Sequence, residues 1–470
     1  MANELVLTPE MNTSYLLNDN KEKQIKVKIT LHPSDEVRLQ KERVAEQVGT
    51  DVCIVLDVSA SMRDIVGGNY EFTGEKVLVE GEMRNIVTGG ITKLDTAISA
   101  IEKLIPKLRP EDSLSLIAYE DEPHIIFQDL NMSQSGLIKQ KLKDCYNYTG
   151  NTNISGALRE ARFLLNKQAN NRPKKIIFLT DGHPVGDTEA AGITEGEMIA
   201  EHNISIDCLG LGNDFNFSFV TEIAKPSKGR TELLDQSDFE KIERIFSELF
   251  ERSQNVLATN VELKLAFSPQ VRVTEHYRGV PENMYLGKVK MPADNRIVTF
   301  QLGQIETNQR YEYYFLVNIP PQEGYIGAFR LMQAEVTYYL PGIADAQEFT
   351  KKSIVAEFGD NIQSAKRRNG EVESGYSQAE IMRLVEEAND LLTRNDNVKA
   401  GEKYQQIIDR YDGLGMAEQS KIYRSLLQKL QTTGKITLSD QNMAHSTSSK
   451  ASDSGEIPPV MTEEEWEDIF

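Results

Sequence analysis

The sequence predicts an α/β domain with a doubly wound, mainly parallel sheet, inserted in or next to a β-sandwich and followed by a small C-terminal helical domain. Three patterns carry this expectation. Between 51 and about 253, the short apolar runs DVCIVLD (51–57), SLSLIAY (113–119), KKIIFLTD (174–181) and ISIDCLGLG (204–212) alternate with helix-period segments at 92–108, 154–167, 189–202 and 236–252. Strands apolar on both faces, separated by amphipathic helices, build a parallel sheet covered on both sides. From 254 to 360 helix-period segments give way to strand-like NVELKLAF (260–267), QVRVTE, RIVTFQL, RYEYYFLVNI and AEVTYYL, an antiparallel sandwich pattern. QIKVKITL (24–31) alternates with period two, Ile25, Val27, Ile29 and Leu31 on one face, and is placed as the sandwich's missing strand.

The expected domains are therefore N-terminal sandwich strand(s) at 1–48, the α/β domain at 49–253, the sandwich at 254–360 and three helices within 374–435. Ser377 and Glu380 read as a capping box opening the first helix, whose stripe is Ile381, Leu384, Val385, Ala388, Leu391 and Leu392. Residues 436–470, Ser/Thr-rich and then acidic, are expected to be a disordered tail. Its end, TEEEWEDIF, holds the chain's one tryptophan. It is either a solubilising tail or a docking motif for a second partner anchored by Trp466, Ile469 and Phe470.

Composition narrows the function. Lys and Arg number 52 against 72 Asp and Glu, a net charge of −20, which repels nucleic-acid phosphates. Cys53, Cys145 and Cys208 lack metal-type spacing and read as reduced core residues. The opening MANELVLTPEMN has no basic-then-apolar leader pattern, and no apolar run reaches the length of a membrane span. A cytoplasmic protein is the expectation.

In doubly wound sheets, ligands bind beyond the carboxyl ends of the strands. The first run ends there in Asp57-Val58-Ser59-Ala60-Ser61: one carboxylate and two hydroxyls, able to converge if the backbone curls. Thr152, in YTGNTNISGAL, sits just before a helix, and Asp181 ends KKIIFLTD. These are hard oxygen donors, suited to Mg²⁺, Mn²⁺ or Ca²⁺ rather than to Zn²⁺. A loop-capping role would account for Asp57, Ser59 and Ser61 but not for Thr152 and Asp181. A metal bound only for stability is the other alternative. His183, Asp64 and Asp187 lie near the same face and read as solvated loop residues.

DxSxS, then a Thr in a GxTN-like stretch, then an apolar strand ending in TDG resembles the metal-ion-dependent adhesion site of von Willebrand factor A domains, over about residues 49–253. Ala60 departs from the glycine many members carry. The resemblance implies a Rossmann-like fold, a divalent ion, most simply Mg²⁺, held by Asp57, Ser59, Ser61, Thr152 and Asp181, and an open metal position that a partner's Asp or Glu carboxylate fills. It points to a protein-binding adaptor and not an enzyme. One alternative is a subunit of an ATPase-driven, chelatase-like (MoxR-type) assembly, with the motor on another chain. Another is a metal-dependent hydrolase, against which GxSxG, HExxH and P-loop motifs are absent from the sequence. About thirty residues, Met62 to Ile91, intervene before the first helix and read as a β-hairpin beside the metal, carrying Glu71, Glu75, Glu80 and Glu82. It is expected to shape partner choice; a bolder reading lets one Glu occupy the open metal position.

Overall fold

The computed structural model describes residues 4–44, 48–79, 82–167, 172–182, 184, 187–212, 216–234, 239–292, 296–322 and 324–458. Two compact units emerge: Arg43–Val256 is one, and Met1–Glu42 joins Leu257–Phe470 in the other. The chain starts the second unit, builds the first as an insertion, and returns.

The inserted unit holds a six-stranded sheet in the order Thr231–Leu234, Ser205–Leu211, Lys174–Thr180, Asp51–Asp57, Ser113–Tyr119, Pro123–Leu130. All neighbours are parallel except the last pair. Every residue of Asp51–Asp57 is buried, because each face meets helices. Val52, Ile54 and Leu56 pack with Leu94, Ile101 and Phe246, whereas Cys53 and Val55 pack with Leu158, Phe178 and Val220. That two-sided burial is why the run shows no alternation. The antiparallel edge strand Pro123–Leu130 escaped the sequence reading; it buries only Ile126, Phe127 and Leu130, too few to mark a period. The three cysteines are free and buried.

Ile65–Val79 and Glu82–Thr92 form a two-stranded antiparallel sheet of their own. Its base is narrow. Gly90 adopts φ +85°, and a Cβ there would lie 2.8 Å from Ile65 Cδ1, so only glycine fits without a shift.

The other unit has two five-stranded sheets. One runs Leu5–Met11, Lys23–Pro33, Tyr311–Ile319, Arg272–Val280, Met284–Lys288; the other runs Ile297–Glu306, Val256–Phe267, Gly327–Leu340, Ala344–Gly359, Tyr15–Leu17. Residues of both, such as Val27, Phe315, Leu263 and Val336, share one core. Lys23–Pro33 is an interior strand, with Leu5–Met11 on one side and Tyr311–Ile319 on the other.

Two expectations about the C-terminal region fail. The first helix spans Gly370–Thr393 and is capped by Asn369, whose side chain accepts from Glu371 N and Val372 N; Ser377 lies inside it and caps nothing. The extra turns are held from outside: Glu371 and Glu373 pair with Lys28 and Lys26 of the Lys23–Pro33 strand, and Tyr376 packs on Tyr277. The second is the tail as far as residue 458, the last one described. After Asn397–Gly413 and Ala417–Thr433 comes a fourth helix, Leu438–Ser449, opened by a Thr437–Asp440 capping box. Its Ala444, His445 and Ser448 are buried. Ser448 Oγ lies 2.9 Å from Tyr411 OH and 2.7 Å from Tyr423 OH, and Tyr423 OH also donates to the Ala444 carbonyl. The chain then runs on, Arg310 N donating to Gly455 O and Ile457 N to Asn308 O. A Ser/Thr-rich composition looks disordered, but small hydroxyl side chains satisfy buried tyrosines at close range. Ending the chain at Lys435 is expected to remove the Ser448 and Ala444 partners of two tyrosine hydroxyls and uncover their rings, a loss of about 0.5–1.5 kcal/mol per hydrogen bond before the lost apolar burial. Urea titration should show that loss, and unchanged stability would return the segment to a passive tail. Trp466, Ile469 and Phe470 lie outside the described residues.

Candidate metal centre

The parallel register lines the strand ends up: Asp57 pairs with Tyr119, and Leu56 with Leu179, one residue before Thr180. Asp57, Tyr119, Thr180 and Asp181 therefore reach one rim. Beyond Asp57 the chain curls. Asp57 Oδ1 accepts from Ser59 N at 2.9 Å, and a short 3₁₀ turn, Ala60–Arg63, follows. The curl brings Ser59 Oγ to 3.2 Å from Ser61 Oγ, and Ser61 Oγ donates to Asp181 Oδ1 at 2.7 Å. Two hydroxyls and one carboxylate from segments 120 residues apart thus meet.

Thr152 is also at this rim. Its loop is tied to the Ser59 turn by Ala60 N donating to Gly150 O, and to the Ser113–Tyr119 strand end by Asn153 N donating to Glu120 O. Thr152 is only 2% exposed, and among the described residues its hydroxyl joins no hydrogen bond. Of the five expected residues, the structure links Asp57, Ser59, Ser61 and Asp181 directly, and Thr152 through its backbone neighbours.

Asp57 is fully buried. Burial, and then the nearby Asp181 charge, push its carboxyl up to about 7, against hydrogen bonds from Ser59 and Thr180 that pull it down. Its Oδ2 accepts from Thr180 Oγ1 at 2.9 Å and Tyr119 OH at 3.2 Å. Burial and Asp57 in turn hold the Tyr119 phenol well above its usual range. Asp181 has a cationic partner, Lys93, whose Nζ is 2.7 Å from Oδ2.

Thr180, Tyr119 and Lys93 were missed from sequence. Thr180 directly precedes Asp181, and Tyr119 is a polar-tipped aromatic ending an apolar run; either could have drawn notice. Asp64 and Asp187 are not simply solvated: Asp64 lies 3.7 Å from Lys93 Nζ, and Asp187 Oδ2 accepts from Ser155 N at the start of the Ile154–Asn166 helix. His183 lies outside the described residues. On the rim, Arg63 donates to the Tyr146 and Tyr148 carbonyls, and His124 pairs with Glu120 and stacks on Tyr148.

The donor set fits a hard divalent cation. Two buried carboxylates repel each other, two hydroxyls converge beside one of them, and the hydroxyl of the buried Thr152 joins no hydrogen bond among the described residues. Among those residues no cluster of three His, Cys, Asp or Glu side chains forms, so the oxygen donors of the rim are two carboxylates and three hydroxyls.

Fold and rim together define a Rossmann-like domain with an oxygen-donor site at the strand ends. Residues 52–183 match the family model of the von Willebrand factor type A domain, and this segment is a domain of that type. The uncharacterized protein sll0103 of Synechocystis is 25% identical over 249 residues, 52% of this chain and 57% of its own length. Mouse inter alpha-trypsin inhibitor heavy chain 4 is 24% identical over 332 residues, 64% of this chain and 34% of its own length. The chain thus spans little more than half of the first of these relatives and a third of the second. Among solved structures, a von Willebrand factor type A protein from Catenulispora acidiphila superposes with a TM-score of 0.71 at 18% identity, over 95% of this chain and 96% of that one. The ArnB paralog VWA2 from Sulfolobus acidocaldarius gives 0.55 at 15% identity, over 95% and 98%. Both share the fold across nearly the whole chain.

Proposed function

We propose that Asp57, Ser59, Ser61, Thr152 and Asp181 hold one divalent cation, Mg²⁺ or Mn²⁺, and that the chain is a non-enzymatic adaptor that binds a partner protein's Asp or Glu carboxylate through it. The observation that carries this reading is the meeting of Ser59, Ser61 and Asp181 beside a second buried carboxylate, Asp57. When bound, the ion supplies positive charge and a coordination position for an anionic oxygen. The protein's own groups do the rest. The Ser59 amide, Thr180 and Tyr119 fix the Asp57 carboxylate, and Ser61 fixes one oxygen of Asp181. Binding rather than catalysis is the simpler reading because GxSxG, HExxH and P-loop motifs are absent from the sequence. No described helix is long and apolar enough to cross a membrane.

One metal contact gives modest affinity, so surrounding surface must add to it. The hairpin supports that part of the reading. It leaves the chain at Ile65 and returns at Thr92, which pair with each other, between Asp64 and Lys93. It exposes Tyr70, Phe72 and Met83 at 48%, 66% and 61%, with Tyr70 and Phe72 edge to face. Exposed aromatics on a hairpin rooted next to a polar site are typical interface anchors.

A single pull-down tests both parts, using wild type, Asp57→Ala and a chain lacking 66–90, each with Mg²⁺ or with chelator. The expected partner is retained by wild type with Mg²⁺, lost by Asp57→Ala and by chelation, and weakened by the deletion. Partners indifferent to chelator and to Asp57→Ala would refute the metal-dependent adaptor.

A further inference from the structure

Lys93 is an odd residue for its place. It is the first residue of the Lys93–Leu104 helix, after the N-cap Thr92. The N-terminal end of a helix already carries about half a positive charge, and the Thr92–Asp95 capping box answers that end's needs. Helix formation therefore does not select a lysine here. Its side chain is nevertheless only 9% exposed, with Nζ 2.7 Å from Asp181 Oδ2 and 3.7 Å from Asp64 Oδ2. Its backbone N donates to Asp64 O.

The consequence is an asymmetric pair of carboxylates. Asp181 offers Oδ1 to the Ser61 hydroxyl and Oδ2 to the ammonium. Among the described residues, the donors to Asp57 are neutral: the Ser59 amide, Thr180 and Tyr119. The ammonium sits on the oxygen of Asp181 that faces away from the serines' hydrogen bond, so the convergence of Ser59, Ser61 and Oδ1 stays intact with Lys93 in place.

We infer that Lys93 is a resident cation of the metal centre: it weakens uptake of the divalent ion and strengthens the hold of the loaded centre on an anionic ligand. This rests on the metal reading above. Two carboxylates and a divalent ion sum to zero, and such a centre attracts a carboxylate weakly. With Lys93 the same centre carries +1. Asp64 is 42% exposed, so water and salt screen its charge far more than those of the buried groups. One side chain thus sets a trade between metal affinity and ligand affinity, and makes Lys93 a specificity-determining residue of the site.

The test compares full-length wild type, Lys93→Met, which keeps the stem and loses the charge, and Lys93→Arg, which keeps the charge. Each is stripped with chelator and titrated with Mn²⁺ by calorimetry. Acetate is then added to the Mn²⁺-loaded chains while the water-proton relaxation of the bound ion is followed. Lys93→Met is expected to bind Mn²⁺ about tenfold more tightly or better, since a charge 4–6 Å from an ionised group typically moves its equilibria by one to three decades. It should also need about threefold or more acetate to displace water from the ion, as a centre of lower net charge attracts anions less. Lys93→Arg should stay near wild type in both. Without Mn²⁺, Lys93→Met should melt lower, because the Asp181 charge is left buried and unpaired. A lysine serving stability alone would lower the melting point and leave the two binding constants unmoved, and that result overturns the inference. So does weaker Mn²⁺ binding by Lys93→Met. Lys93→Gln carries the same expectations if the Met variant does not fold. Failure of wild type itself to take up Mn²⁺ sinks the metal reading and this inference together. Uptake by wild type but not by Asp57→Ala, with Lys93→Met unchanged, sinks the inference alone.

Discussion

Asp57→Asn is expected to make the metal-free protein more stable at pH 8 while abolishing Mn²⁺ uptake. The Asp57 carboxyl is raised to about 7 by burial and by Asp181, from an ordinary value of 3.8. Between those values the folded chain keeps a proton that the unfolded chain has released, so stability falls as pH rises through that window. The loss is complete above pH 7 and on the order of 2–4 kcal/mol for a shift of this size. Asparagine is isosteric and does not ionise. Its carbonyl can still accept from the Ser59 amide, and the Thr180 and Tyr119 hydroxyls can turn to accept from its NH₂. The variant should therefore show a flatter stability profile between pH 4 and 8 and a gain of about 1–4 kcal/mol at pH 8, as expected when an uncompensated buried charge is removed. Saturating Mn²⁺ should stabilise wild type and leave the variant unmoved. Urea titrations at pH 5 and pH 8, with chelator and with Mn²⁺, give all four numbers. A variant less stable than wild type at pH 8 in chelator, or one that still responds to Mn²⁺, would show that Asp57 is not a strained metal ligand.

The second large effect concerns the order of the chain. Residues 43–256 expressed alone are expected to unfold cooperatively, and residues 257–470 alone are not. The inserted unit contains its own cores on both sheet faces. The other unit is incomplete without its beginning. Lys23–Pro33 supplies the whole ladder from Lys23↔Ile319 to Leu31↔Tyr311, and Ile25, Val27, Ile29 and Leu31 are each at most 1% exposed. At about 1.5–3 kcal/mol per fully buried aliphatic side chain, those four match the entire stability of an ordinary domain, about 5–15 kcal/mol. The unmet edge of Tyr311–Ile319 would also invite aggregation. Circular-dichroism melts of the two fragments decide the matter; a cooperative melt of 257–470 near that of the full chain would refute it.

How much of this was legible beforehand differs by element. The parallel sheet was, because strands flanked by helices must be apolar on both faces, and DVCIVLD and KKIIFLTD carry that in consecutive residues. So was the placing of Asp57 and Asp181 at one rim, because residue order alone marks the carboxyl ends of parallel strands; the curl that brings Ser59 and Ser61 to them is a matter of geometry. The edge strand at 123–130 was not, since an edge buries too few side chains to leave a period. The start of the helix at Gly370 was hidden by an attractive local signal, Ser377 with Glu380. Lys26 and Lys28, more than 340 residues earlier, hold Glu373 and Glu371 and extend the helix beyond that signal. The Ser/Thr-rich segment at 438–449 was masked by its composition, and only the buried hydroxyls of Tyr411 and Tyr423 explain why Ser448 is needed.

By itself, then, the sequence determined the periodic and the adjacent: which runs are strands, which stripes face a core, and which oxygens stand at strand ends. These depend on backbone geometry that repeats every two or 3.6 residues. What only the tertiary structure decided are the pairings across long separations: an ammonium set on Asp181, a carboxyl of Asp57 raised by burial and then by Asp181, an N-terminal strand closing a sheet with residues 311–319. Burial and charge act through space with no regard for chain distance, so such partners leave no local trace.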